Sequence, residues 1–241
     1  MIFYYIRHGN PIYNPDSLTD LGHEQAKALA PRFLKYGIDE IYASTSNRAI
    51  LTAKPTADLL NKEITLCDWA NEGHAWGELT MPLGEDKLRW VMQHPDFVEK
   101  LRAPEFEALG YDWYEHASFA TKRDKMKAGM ERISKAADEF FLSLGFRHKR
   151  EINAYVREGR TPPKRVALFA HQGFGLAFLS TVLDIPYLKF CANFDISHSA
   201  VTTIYFDETR EIIYPTVLQF ASEAHLYKEG VKSQYDGNID I

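Results

Sequence analysis

Cysteine, charge of one sign and long apolar runs are all scarce in this chain of 241 residues. The two cysteines, Cys67 and Cys191, lie far apart and form no CxxC pattern, so we expect two reduced, mostly buried thiols and no disulfide framework. The 28 basic and 33 acidic residues give a net charge of -5 with no long run of either sign. This balance argues against nucleic acid and against a polybasic membrane surface as partners.

Targeting segments and metal or nucleotide motifs are also missing. The first apolar stretch stops at Arg7, which is too short for a signal-peptide core or a membrane span, so we expect a cytoplasmic location. None of the nine histidines stands in an HExxH motif, so no metal site is predicted. Gly173 and Gly175 begin a GxGxxG pattern, but Phe178 replaces the third glycine and the chain has no Walker lysine.

What is present is an alternation of strand and helix patterns. Five segments rich in β-branched and aromatic residues predict strands, at 2–6, 38–44, 63–68, 165–171 and 200–207. Helical spacing is found within 18–37, at about 47–60 with Pro55 predicting a kink or a late start, and after Gly173. The alternation predicts one domain over residues 1–241, with a three-layer α/β/α fold and a mostly parallel central sheet.

The middle of the chain has a different pattern. Residues 78–160 contain no convincing strand, and apolar residues from Met126 to Leu144 mark one face of a long helix. We interpret this region as a helical insertion that forms a lid or substrate wall; the alternative is that its aromatics fill the core of a small helical subdomain. The charged segment 147–165 suits an exposed linker or hairpin, and the tail from Phe220 onward is expected to pack or fray.

Polar residues follow four of the predicted strands. In an open parallel sheet, ligands bind beyond the carboxyl ends of the strands. Arg7 and His8 end the first strand, Arg48 opens the helix after the second, Glu72 follows the third and His171 ends the fourth. Each residue alone has an ordinary explanation as a cap, an ion pair or a loop acid, but their joint placement at one sheet edge indicates a site.

Two histidines, two arginines and a carboxylate suit phosphoryl transfer. Arginine donates paired hydrogen bonds to phosphate oxygens and keeps its charge. A neutral imidazole can attack phosphorus when its other nitrogen is held by an acceptor. The leaving alkoxide needs a proton, and Glu72 is placed to give one.

The same residues resemble the histidine phosphatase superfamily, which includes the cofactor-dependent phosphoglycerate mutases. "RHGNPIYN", "LTDLGHEQA", "YASTSNRAILTA", "WANEG" and "FAHQGFG" resemble five of its motifs in the family's order. The resemblance covers residues 1–77 and 165 to about 206. It implies a phosphoglycerate mutase-like fold and a reaction that needs no metal.

The resemblance also implies a role for each matched residue. His8 would become phosphorylated, Glu72 would protonate the leaving group, and Arg7, Arg48 and His171 would bind phosphoryl oxygens. In mutase-like members an asparagine that contacts phosphate stands where Asn14 lies in this sequence.

The sequence departs from the family at two places beside the histidines. Asn10-Pro11 stands where many members have a glutamate and a small hydroxyl residue, and Gln172 stands where glycine is usual. The insertion has no clear basic cluster for a second acidic substrate, with Lys122-Arg123 the nearest candidate, which favours hydrolysis over mutase activity.

The sequence therefore predicts a metal-independent phosphatase that hydrolyses a small phosphorylated metabolite through a phosphohistidine on His8 and needs no cofactor. A phosphoglycerate mutase-type phosphotransferase and a non-catalytic phospho-ligand binding protein are the alternatives. His74, Trp76 and His198 are candidates for substrate contact, with a structural role as the alternative for His198. Whether the chain forms homo-oligomers is left open.

Overall fold

The computed structural model describes residues 1–85, 87–235 and 239–240 and contains one large sheet with several small hairpins. The strands are β1 (Ile2–Arg7), β2 (Pro11–Tyr13), β3 (Asp16–Leu18), β4 (Glu40–Ser44), β5 (Ile64–Cys67), β6 (Thr80–Pro82), β7 (Leu88–Trp90), β8 (Phe146–Lys149), β9 (Ala154–Arg157), β10 (Arg165–Ala170), β11 (Val201–Tyr205), β12 (Thr216–Ser222), β13 (Gln234–Tyr235) and β14 (Ile239–Asp240). The α-helices are α1 (Asp20–Leu29), α2 (Asn47–Leu60), α3 (Glu72–Leu79), α4 (Pro95–Val98), α5 (Pro104–Leu109), α6 (Arg123–Ser143), α7 (Gln172–Val182), α8 (Tyr187–Cys191) and α9 (Ala224–Glu229).

The large sheet has the strand order β12-β11-β1-β10-β4-β5. Strands β1, β10, β4 and β5 are parallel, β11 pairs antiparallel with β1, and the edge strand β12 pairs antiparallel with β11. The predicted mixed α/β fold with a mostly parallel sheet is confirmed. The parallel register pairs Arg7 with Ala170 and Ser44 with Cys67, so the carboxyl ends of these strands lie at one edge.

The alternation of side chains along β1 produces the layers. Phe3 and Tyr5 are buried in a cluster with residues of α6 and α7, whereas Ile6 is buried in a second cluster with residues of α1 and α2. Successive side chains of a strand point to opposite faces, so a strand that is apolar on both faces needs cover on both. Helix α2 begins at Asn47, so Pro55 inside it does not delay its start.

The predicted long helix is present as α6, but the prediction of no strand over 78–160 is wrong. Strands β6 and β7 form one hairpin, and β8 and β9 form another within the charged segment. Each of these strands has only three or four residues, too few for a period of two to stand out from the sequence. Phe140 and Phe141 of α6 pack on Phe3 with ring centroids 6.0 and 5.2 Å away, so this helix belongs to the main core.

The C-terminal region adds an edge strand that the sequence analysis missed. Strand β12 is exposed on much of its length and bulged against β11, which weakens its hydrophobic alternation. Residues 236–238 and 241 of the tail lie outside the described residues. Both cysteines are free thiols, as expected. Within the described ranges, no helix combines the length and the apolar character needed to cross a bilayer.

Candidate active site

His8 lies at the carboxyl end of β1 with 1% of its surface exposed. Its backbone N–H donates to the Ala170 carbonyl at 2.9 Å, which fixes the residue beside β10. The Nδ1 atom lies 2.7 Å from the Gly9 carbonyl oxygen. A carbonyl only accepts, so Nδ1 carries the proton and the Nε2 lone pair is available to attack an electrophile.

The surroundings of His8 keep its imidazole uncharged. Burial is the main cause that holds the pKa of His8 well below its usual range, and the neighbouring His171, Arg7 and Arg48 lower this pKa further. The ring is therefore neutral, as a nucleophile must be, at and below neutral pH.

Arg7 is anchored from the loop that precedes β11. Its Nη1 donates to the Ile196 carbonyl at 2.5 Å, and its Nη2 lies 2.9 Å from Nε2 of His198. Because a guanidinium only donates, His198 accepts this bond. The His198 ring is 5.8 Å from the His8 ring, so it is near the site while it orients Arg7.

Arg48 lies in the first turn of α2 between two carboxylates. Its Nη1 donates to Asp16 at 2.7 Å, and its Nη2 lies 3.3 Å from Glu72 Oε2. Asp16 also accepts from the Asn47 backbone N–H at 2.7 Å, so it caps α2 and fixes Arg48 together. Sequence reasoning missed Asp16, because it lies 31 residues before Asn47 and only the tertiary structure brings the two together.

His171 follows the last residue of β10, and Glu72 lies close to it. The Nε2 atom of His171 is 2.8 Å from Ser44 Oγ, and its Nδ1 is 3.6 Å from Glu72 Oε2. Glu72 Oε1 accepts from the backbone N–H of Gly173 at 2.9 Å. Burial, then Arg48 and Arg7, keep the pKa of His171 well below its usual range. The rings of His8 and His171 are 5.2 Å apart.

A cavity of about 440 Å³ opens onto Arg48 and Glu72. Its wall combines charged, amide and aromatic side chains: Tyr13, Arg48, Glu72, Gly73, Trp76, Arg89, Trp90, Gln93 and Gln172. The predicted contact residue Trp76 is therefore part of the wall. Arg89, Trp90 and Gln93 come from the 78–160 region; Trp90 is one of the aromatics for which a substrate wall is predicted, whereas Arg89 and Gln93 were not singled out in the sequence.

Three other candidate residues lie apart from this wall. His74 is half exposed and its Nε2 is 3.0 Å from Asp68, so its side chain is engaged with a surface carboxylate. Asn14 is exposed at the tip of the β2–β3 hairpin and is not among the residues that line the cavity. Arg123 is paired with Glu115 and Asp124 on the surface.

Gln172 and Gly173 follow His171 and are fixed by packing. The Gln172 amide donates to the Asp195 carboxylate, whose Oδ1 also accepts from the Ile196 N–H at 2.7 Å. A methyl group on Gly173 would overlap the Trp90 ring, so glycine is required there for close approach. Likewise, a methyl group on Gly9 would lie 2.7 Å from the Gly22 carbonyl oxygen, so Gly9 is set by the packing of α1.

His8, Glu72 and His171 also have the donor types that bind metals. Their ligand atoms lie within 4.8 Å of one another, although the sequence spacing gives no sign of this. Arg7 and Arg48 stand beside them and lower the pKa of both histidines, so the local potential is positive. Such a field favours an anion over a cation. That no metal is needed stays a prediction.

Together, the parallel sheet and the paired histidines and arginines at its carboxyl edge define an α/β protein with an anion-binding site. Residues 3–214 match the profile of the histidine phosphatase superfamily (branch 1). The chain belongs to this superfamily, which confirms the resemblance found in its motifs.

One curated protein and two solved structures are similar to this chain. It is 36% identical over 98 residues to a protein of Hydrogenobacter thermophilus that is provisionally named phosphoserine phosphatase 2, a match that spans 37% of this chain and 45% of the relative. Among solved structures, phosphoserine phosphatase of Entamoeba histolytica, in complex with 3-phosphoglyceric acid, has a TM-score of 0.56 at 20% identity and covers 93% of this chain and 98% of its own. Alpha-ribazole phosphatase of Shigella flexneri has a TM-score of 0.57 at 17% identity, with coverages of 92% and 97%. At these identities the two structures establish the fold alone.

Proposed function

We propose that this protein hydrolyses a small phosphomonoester through a phosphohistidine on His8. The observation that carries the proposal is the Nδ1–H of His8 held by the Gly9 carbonyl, which leaves a neutral Nε2 within a buried cluster of cationic side chains. The phosphatase names of the relatives support the same reaction.

In the first step, His8 Nε2 forms a bond to phosphorus while the bond from phosphorus to the leaving oxygen breaks. Arg7, Arg48 and His171 stabilise the charge on the equatorial oxygens. Glu72 gives its proton to the leaving alkoxide, so a neutral alcohol departs. In the second step Glu72 takes a proton from water, the water oxygen bonds to phosphorus, and the P–N bond breaks to release phosphate and His8.

The surroundings of these groups support their roles. Asp16 and Glu72 hold Arg48, and His198 and the Ile196 carbonyl hold Arg7, so neither guanidinium has to be ordered when substrate binds. Fixed donors that are aimed at developing charge cost no reorganisation during the reaction. Trp76 lines the same cavity as Glu72, and this position supports its proposed contact with the substrate.

The test is phosphate release from a panel of small phosphomonoesters in excess chelator. We expect turnover in the parent protein and its loss, by about 10⁴-fold or more, in His8→Ala, because the covalent route is removed. His23→Ala, which changes a histidine on α1 outside the cavity, is the matched control and should keep its turnover. Quenching with alkaline detergent during turnover should trap phosphate on the parent protein and not on His8→Ala, because a phosphohistidine is stable in alkali and is hydrolysed in acid.

The other outcomes separate the alternatives. Release that persists in His8→Ala would contradict the proposed nucleophile. Transfer of the phosphoryl group to a second phosphorylated metabolite, with little release to water, would favour a mutase. Binding without turnover would favour a phospho-ligand binding protein. The single-domain boundary and the cytoplasmic location remain predictions.

A further inference from the structure

One basic residue of the cavity wall, Arg89, takes no part in the proposed phosphoryl transfer. Arg89 lies on β7, is exposed, and lines the same cavity as Arg48 and Glu72. Arg48 is neutralised by Asp16 and Glu72. Among the residues that the structure describes, no carboxylate lies within ion-pair distance of Arg89, so its guanidinium is open to an anion from solution.

The wall beside Arg89 is aromatic and well fixed. Trp90 is buried, and its ring lies directly against Gly173 at the start of α7. Trp76 packs edge-on against Trp90 with ring centroids 5.0 Å apart, while 38% of its own surface stays exposed. An exposed indole on a fixed support offers a flat apolar surface to the body of a ligand.

We propose that the leaving group is an alcohol that carries an anionic substituent, held by Arg89 while its body lies against Trp76. This rests on the proposed function, because the cavity is where the leaving group of a phosphomonoester on His8 would lie. A guanidinium donates two parallel hydrogen bonds to a carboxylate or to a phosphate-type group, so either anion fits. The guanidinium of Arg89 would repel a leaving group with a cation at that position.

The test compares aryl phosphates whose leaving phenols differ only in the group at the end of the side chain. These are 4-(2-carboxyethyl)phenyl phosphate, its primary amide and the corresponding 2-phosphonoethyl compound, whose phenols differ little in leaving ability. We expect the parent protein to prefer at least one of the two anions over the amide by about 10- to 100-fold in kcat/KM, the range for a charge-assisted hydrogen bond. The ranking of carboxylate against phosphonate then identifies the preferred anion.

Three variants assign the effect to residues. In Arg89→Gln the preference for the anion should fall to within about 3-fold of unity. In Lys87→Gln, which removes a charge from the same hairpin outside the cavity wall, the preference should persist. In Trp76→Leu, kcat/KM should fall for all three probes by a similar factor, because the aryl body is shared, and the preference should again persist.

Failure of this inference can be distinguished from failure of the proposed function. A preference near unity in the parent protein, or one that survives in Arg89→Gln, would overturn the role of Arg89. If no probe releases phosphate, the proposed function has failed, and calorimetric binding of the acid and the amide to the parent protein and to Arg89→Gln still decides whether Arg89 reads an anion.

Discussion

Two of the buried histidine environments in the protein differ in the charge of their neighbours. At the sheet edge, His8 and His171 lie beside Arg7 and Arg48. On β8, His148 lies between two carboxylates, with Nδ1 3.0 Å from Asp138 and Nε2 2.9 Å from Asp184. Carboxylates only accept hydrogen bonds, so both nitrogens of His148 donate and the ring is an imidazolium.

The pKa shifts follow from these neighbours. Burial lowers the pKa of His148, but its hydrogen bonds to Asp138 and Asp184 outweigh burial and raise the pKa above its usual value. At the sheet edge, burial and positive neighbours act in the same direction and lower the pKa of His8. The comparison teaches that the neighbours, and not burial alone, decide whether a buried histidine is neutral or charged.

The largest expected effect on turnover comes from a substitution of Glu72, the carboxylate at the sheet edge. Asp138 and Asp184 pair with the charged His148, whereas Glu72 is proposed to donate a proton to the leaving group. Glu72→Gln should therefore lower kcat for alkyl phosphates by about 10²- to 10⁴-fold. Aryl phosphates with acidic phenols should lose much less, because their leaving oxygen needs little protonation. Steady-state rates over a series of leaving groups measure this, and an equal loss across the series would contradict proton donation by Glu72.

The same substitution in the two regions should separate catalysis from stability. His171→Asn removes a side chain proposed to bind the phosphoryl oxygens and should lower kcat/KM by about 10²- to 10³-fold. His148→Asn should leave kcat/KM within about 3-fold and lower the free energy of unfolding by about 3 kcal/mol, because a buried charge network loses a partner.

Urea unfolding and phosphate release on both variants check this pair. A large loss of turnover in His148→Asn, at temperatures where the variant is folded, would show that the β8 cluster acts on the site.

The smallest expected effect is a difference in pH dependence. The pKa of His148 is raised on folding, so its stabilisation is fully present below pH about 6.5 and is lost as the pH rises through the folded pKa. The parent protein should therefore lose more stability than His148→Gln as the pH rises from 6 to 9. Urea unfolding at several pH values measures this; parallel curves would contradict a charged His148.

Much of the catalytic edge could be predicted from the sequence. His8, Arg48, Glu72 and His171 each follow a strand whose residues are apolar or β-branched, and the carboxyl ends of parallel strands meet at one edge. Each strand and the polar residue that follows it lie within one short stretch of sequence, so both can be identified without knowledge of the tertiary structure. The assignment of catalytic roles to them remains a prediction.

The supporting residues could not be predicted in the same way. Asp16 reaches Arg48 from a three-residue strand, and Arg89 enters the cavity from a hairpin too short to show a period. The sequence predicts an exposed linker or hairpin around His148; the hairpin is present as β8 and β9, but the His148 side chain is fully buried. A charged segment is predicted to be exposed unless the partners that neutralise its charges are known. One partner of His148 is Asp184, which lies 36 residues away and could not be identified from the sequence.

The sequence by itself determined the alternation of β1, β4, β5, β10 and β11 with helices, the mostly parallel sheet and the residues at its carboxyl edge, because these depend on local patterns and on the general geometry of α/β folds. Only the tertiary structure decided which tautomer His8 adopts, which carboxylates orient Arg48 and which residues of the β6–β7 hairpin line the cavity. These properties depend on distances of a few ångströms between groups that are far apart in the chain, and hydrogen bonds and pKa values change over such distances.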